Sequence, residues 1–110
     1  MDFKEYQKEA AKTIPEDMEK ESMLINACMG LCGEAGEVSE PVKKWAFQHH
    51  DLNLEKIKDE ASDVLWYLAE LCTACGFSME DVAKHNIEKL RKRYGERFDA
   101  EKSRNREEGV

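Results

Sequence analysis

Apolar positions recur at helical spacing through most of the chain. Phe3, Tyr6, Ala10 and Thr13 share one side of a predicted first helix over residues 2–13, with Asp2 as its N-cap. Pro15 ends it, because proline disfavours helix in the residue before it. A loop to about Lys20 leads into a long helix. On a wheel of about 100° per residue its apolar arc is Met23, Leu24, Ala27, Cys28, Leu31, Ala35, Val38 and Val42. Pro41 lacks an N–H and clashes one turn back, so a kink or interruption is expected there, with Val42–Phe47 continuing as an extension. Gln48–Asn53 reads as a loop. The next helix is predicted over Leu54–Cys75, with Asn53 as cap, Gly76 as stop, and an arc of Ile57, Ala61, Val64, Leu65, Leu68, Leu71, Cys72 and Cys75. Ser78 caps a last helix whose core side is Val82, Ala83, Ile87 and Leu90. The pattern is that of an all-α chain with about four main helices. It forms one domain over residues 1–98 and a polar tail over 99–110, with no internal repeat.

Within this pattern two pairs of acids stand out. Glu34-Ala35-Gly36-Glu37 and Glu60-Ala61-Ser62-Asp63 each project two carboxylates side by side, since residues three apart share a helix face. Both pairs lie on the same border of their apolar arcs. If the two helices pack together, four acids meet at one edge of the core, an arrangement that costs free energy unless cations neutralise it. A single Glu-x-x-Glu is usually a solvated face. Two such pairs, both set against core residues, point instead to a magnesium site. Gly30, Gly33 and Gly36 in one helix add to this: each costs about 1 kcal/mol against alanine, which implies close approach of something.

Other residues extend the candidate site. Tyr67, four residues after Asp63, carries its hydroxyl along the same edge. Asn86, Lys89 and Arg93 share one face of the last helix and suit phosphate oxygens, or else form an ordinary basic helix end that complements the dipole. Lys43 and Lys44 are the first paired positive charges, and Trp45 beside them suits either stacking on a base or plain packing. Tyr6 reads as core more than as ligand contact. His49 and His50 read as surface loop residues.

The formal net charge of −7, with no basic stripe in the first two thirds of the 110 residues, argues against a nucleic-acid surface. A phosphate-bearing small molecule remains compatible, provided metal ions bridge it to the acids. No apolar run is long enough to span a membrane, and Met1–Glu5 lacks a signal-peptide layout, so a cytoplasmic location is expected. Cys28, Cys72 and Cys75 fall on apolar arcs. Core packing is therefore expected of the cysteines, ahead of a four-thiolate zinc site that also includes Cys32.

The order Glu34-x-x-Glu37, spacer, Glu60-x-x-Asp63, then Asn86-x-x-Lys89-Leu90-x-x-Arg93-Tyr94 resembles the MazG-like nucleoside triphosphate pyrophosphohydrolases over roughly residues 20–98. These belong to the all-α pyrophosphatase superfamily that also contains the dimeric dUTPases. The resemblance implies a helical bundle, Mg2+ dependence with Mn2+ as a substitute, and cleavage of a (deoxy)nucleoside triphosphate to monophosphate and pyrophosphate. It also implies a homodimer or homotetramer whose site is bordered by more than one subunit. Carried over, Glu34, Glu37, Glu60 and Asp63 are the metal ligands, with Glu37 and Glu60 catalytic. Asn86, Lys89 and Arg93 meet phosphate or sugar, Tyr67 lies near the nucleotide, and Lys44 and Trp45 border it, Trp45 matching the family's base-contacting aromatic only loosely. The rival expectation is a non-catalytic helical dimerisation or regulatory module of the same fold.

Overall fold

In the computed structural model, which describes residues 1–95 and Arg104, the chain forms four α-helices and, among the described residues, no strand. Their bounds are α1 Phe3–Ala11, α2 Lys20–Phe47, α3 Leu54–Cys75 and α4 Met79–Tyr94. The termini follow from local chemistry. Asp2 accepts from the Glu5 N–H at 2.8 Å, Asn53 from Lys56 at 3.0 Å and Ser78 from Asp81 at 3.0 Å. Gly76 closes α3 in the left-handed region at φ 81°, a conformation that costs a side-chain-bearing residue more. The first helix is shorter than predicted: past Ala11 the chain turns, and the Thr13 hydroxyl donates to the Ala10 carbonyl instead of continuing the helix. The predicted tail lies outside the described residues, Arg104 apart.

Pro41 does not interrupt α2. It is buried inside an unbroken helix, where its missing N–H is tolerated because the turns on both sides stay paired and its ring is sheltered from water.

Among the described residues, helix α3 touches each of the other three helices, whereas α2 packs only against α3. The core beneath α1 and α4 consists of Ala10, Ala69, Cys72 and Met79, with Tyr6, Leu65, Trp66, Leu68 and Val82 against it. Gln7 ties this corner: its Oε1 accepts from the Met79 N–H at 2.8 Å and its Nε2 donates to the Phe77 carbonyl at 3.1 Å. On the other side of α1, Trp66 Nε1 donates to Thr13 Oγ1 at 2.7 Å and stands edge-on to Tyr67, ring centres 5.0 Å apart.

The predicted apolar arc of α2 divides in two. Ala27 is buried and Met23, Leu31 and Val38 are half-buried, while Leu24, Cys28, Ala35 and Val42 are exposed. The reason is that α3 covers only one flank of α2 and, among the described residues, none of the other helices covers the rest. On α3 the arc also narrows, with Ala61 and Cys75 exposed, and on α4 Ile87 and Leu90 face outward. Core packing therefore holds for Cys72 but not for Cys28, Cys32 and Cys75, whose thiols are free and exposed.

Candidate metal centre between α2 and α3

The register of α2 against α3 can be followed one helical turn at a time. Asn26 Nδ2 donates to both oxygens of Glu70, at 2.9 and 3.1 Å. One turn on, Gly30 lies against the ring of Tyr67, so closely that a Cβ there would overlap it. A further turn on, Glu34 faces Glu60 and Asp63. Antiparallel helices advancing about four residues per turn bring the two acid motifs level.

One carboxylate oxygen from each of Glu34, Glu60 and Asp63 falls within 4.8 Å of the other two. Glu60 is buried, Glu34 half-buried and Asp63 exposed, so the cluster opens to solvent on one side. Glu37 is exposed and outside this trio, though its charge reaches both Glu34 and Lys56. The Lys56 ammonium, one turn earlier on α3, approaches Glu60 Oε1 at 2.8 Å.

Crowding drives the carboxyls apart in acidity. Removal from water holds the Glu34 proton above the ordinary carboxylate range, helped by the charge of Asp63 and by hydrogen bonding with Glu60. Glu60 moves the other way, chiefly through the hydrogen bond from Lys56, which outweighs its own burial. Asp63 also reaches α1: Tyr6 holds its phenolic proton more tightly, first through burial and then through that negative charge. Tyr6 is thus both core residue and neighbour of the acids.

Three oxygen donors, one of them holding its proton more tightly than usual because of burial and its acidic neighbours, fit a hard divalent cation that keeps several waters. The signs follow. A cation must displace the proton on Glu34, so Mg2+ affinity is expected to climb as pH rises from the ordinary carboxylate value through the raised one, with proton release. Without cation, the folded state binds that proton more tightly than the unfolded chain, so the contribution of Glu34 to stability falls over the same interval. The contribution of Glu60, whose pKa is shifted down, is present above the ordinary value and is lost as pH falls through the lowered one. Calorimetric Mg2+ titration at about pH 5 and about pH 7, in buffers of differing ionisation enthalpy, checks this; equal affinity at both would refute it.

The remaining predicted site residues are more dispersed. Tyr67 is half-buried with its ring on Gly30. Asn86 lines a small apolar hollow with Phe3, Leu65 and Met79. Lys89 and Arg93 are half-buried on α4, and among the described residues neither forms an ion pair with the acids. Trp45 is 51% exposed near the end of α2, and Lys44 lines a cleft beside the α2–α3 loop. Of the three glycines, only Gly30 is closely approached; a Cβ at Gly33 or Gly36 would meet nothing. Two residues were missed in the sequence. Glu70 is almost fully buried, and its spacing of seven from Asp63 along the acidic edge was the available signal. Lys56, one turn before Glu60, was legible as an i, i+4 partner.

Comparison with known proteins agrees with this geometry. The chain matches the MazG nucleotide pyrophosphohydrolase domain over residues 24–98. It belongs to the MazG family. A relative, the Gene 37 protein of Mycobacterium phage L5, is 35% identical over 74 residues, which span 64% of this chain and 65% of that protein. No solved structure gives a significant match. The MazG segment begins within α2 and takes in both acid motifs and α4, while α1 lies outside it. Among the described residues, no helix is long and apolar enough to cross a membrane.

Proposed function

We propose that this MazG-family chain is a Mg2+-dependent nucleoside triphosphate pyrophosphohydrolase, with Mn2+ as a substitute. The observation that carries the reading is the convergence of Glu34, Glu60 and Asp63 from two adjacent helices. These three would hold the cation. A bound Mg2+ supplies neutralising charge to the polyphosphate and acidifies water at neutral pH. Glu37, outside the trio and exposed, accepts the proton as the water oxygen bonds to phosphorus. With attack at the α-phosphorus, its bond to the α–β bridging oxygen breaks, the electron pair leaves on pyrophosphate, and the products are nucleoside monophosphate and pyrophosphate. Asn86, Lys89 and Arg93 supply donors to phosphate or sugar, with Tyr67 and Trp45 beside the nucleoside. Incubating the protein with a panel of common nucleoside triphosphates and Mg2+, and separating pyrophosphate from orthophosphate, is the test. Orthophosphate as first product refutes the bond assignment. No turnover of any nucleotide favours the non-catalytic self-associating module.

Self-association belongs to the same proposal. Leu24, Ile25 and Met29, exposed by 39%, 58% and 72%, lie with Cys28 and Cys32 on the flank of α2 that, among the described residues, none of the other helices covers. Such a patch on so small a core suits a second copy of the chain. Sedimentation at micromolar concentration is expected to give a dimer or larger species. The double change Ile25→Glu and Met29→Glu is expected to shift it toward monomer; a wild-type monomer at every concentration would contradict this.

A further inference from the structure

Lys56 stands where two features meet. Its side chain is 51% exposed, yet it ends 2.8 Å from an oxygen of Glu60, whose side chain is only 9% exposed. The same lysine lines a cleft formed by the end of α2, the loop after it and the first turn of α3, together with Lys44, Gln48, His50 and Asn53. The loop is pinned by backbone: the Lys44 carbonyl accepts from Gln48 at 3.0 Å and from His50 at 3.2 Å. His49 sits at φ 58°, a left-handed conformation that costs a non-glycine residue free energy and persists only when its surroundings enforce it. The cleft is therefore a shaped wall, and Lys56 is the side chain it shares with the acid cluster.

We propose that Lys56 is a phosphate-binding residue, and that the terminal phosphates of the substrate run from the acid cluster past Lys56 into this cleft. The proposal rests on the reading of Glu34, Glu60 and Asp63 as cation ligands. In the ion pair, Lys56 holds Oε1 of Glu60, one of the two oxygens that this carboxylate can offer a cation. Once that carboxylate turns to a divalent ion, the ammonium loses its partner. Its long stem then keeps it within reach of phosphate oxygens bridged to the same ion, for which three charge-assisted donors are well suited. Glu40, Asp51 and Glu55 border the cleft as well, so a bare anion is repelled and a metal-complexed pyrophosphate is the form that fits. A monophosphate at the acids leaves the cleft unfilled, whereas pyrophosphate occupies it. Lys56 thus separates the two products chemically.

Calorimetry on the whole chain tests this, comparing wild type, Lys56→Met and Lys56→Arg. The probes are Mn2+ alone, Mg2+ with inorganic pyrophosphate, and Mg2+ with the four common deoxynucleoside monophosphates. The methionine variant is expected to bind Mn2+ as tightly as wild type or more so. It should lose about tenfold in pyrophosphate affinity, the scale of one hydrogen bond to a charged group, and keep its monophosphate affinity within about twofold. Lys56→Arg should recover part of the loss. Equal losses for pyrophosphate and monophosphate, or a loss of Mn2+ binding, would mean that Lys56 acts only on Glu60 and would overturn the proposal. Unchanged pyrophosphate affinity would overturn it too. A wild-type chain that binds no Mn2+ would overturn the metal reading beneath it, and that failure is distinct from the others.

Discussion

Glu60→Gln is expected to remove Mg2+-dependent pyrophosphate release while leaving a folded helical protein. Glu60 is the buried member of the trio, and its carboxylate is the one that Lys56 and Glu34 both address. Glutamine keeps the shape but withdraws the charge that draws a divalent ion inward. Loss of one preorganised electrostatic group in such a site typically costs on the order of 10²- to 10³-fold in kcat. The measurement pairs turnover with Mn2+ binding and circular dichroism. Wild-type activity in Glu60→Gln would sink the proposed metal centre. Activity lost together with helicity would instead trace the effect to folding, and Asp63→Asn, at the exposed edge of the cluster, then supplies the independent check.

Gly30→Ala is expected to produce the largest loss of stability among single conservative changes. A methyl there overlaps the Tyr67 ring, which cannot swing aside freely because Trp66 stands edge-on to it and is itself held by Thr13. Overpacking of this kind costs about 1–3 kcal/mol, partly offset by up to about 1 kcal/mol of improved helix propensity. A net loss of about 1–2 kcal/mol lowers Tm by roughly 5–15 °C in a domain of this size. Gly33→Ala is the internal control: a Cβ there meets nothing, so Tm should stay level or rise. If both variants melt alike, the tight α2–α3 contact at Tyr67 is not what Gly30 serves.

These two positions also show what the sequence could and could not disclose. Helix α3 was legible to the residue, because Asn53 and Gly76 are strong local signals that need no knowledge of the rest of the fold. Four acids were expected to meet on matching borders; Glu34, Glu60 and Asp63 do, whereas Glu37 stays exposed outside the group. The wheel of α2 was misleading for a physical reason. Hydrophobicity marks what can be buried, not which partner buries it, and the arc from Leu24 to Val42 merges the flank facing α3 with one that faces, among the described residues, none of the other helices. The glycines were equally ambiguous: Gly30, Gly33 and Gly36 look alike in sequence, yet only Gly30 has a ring upon it. At Pro41 the expected interruption does not occur, since twenty-eight residues of continuous helix absorb one missing donor. Glu70 escaped notice because its partner Asn26 lies 44 positions away, beyond any local pattern.

The hold that Gln7 keeps on the α3–α4 corner bears on what the matched segment, residues 24–98, is by itself. Both ends of one amide from α1 are spent on the backbone at Phe77 and Met79, and Ala10 closes the apolar layer over Ala69 and Cys72. Shorn of its first two dozen residues, the chain would retain Glu34, Glu37, Glu60, Asp63 and Lys56. It would also bare the sulfur and methyl groups beneath α1 and leave the Met79 amide to water. Nine residues with no chemistry of their own thus act as the latch on a mechanism encoded elsewhere.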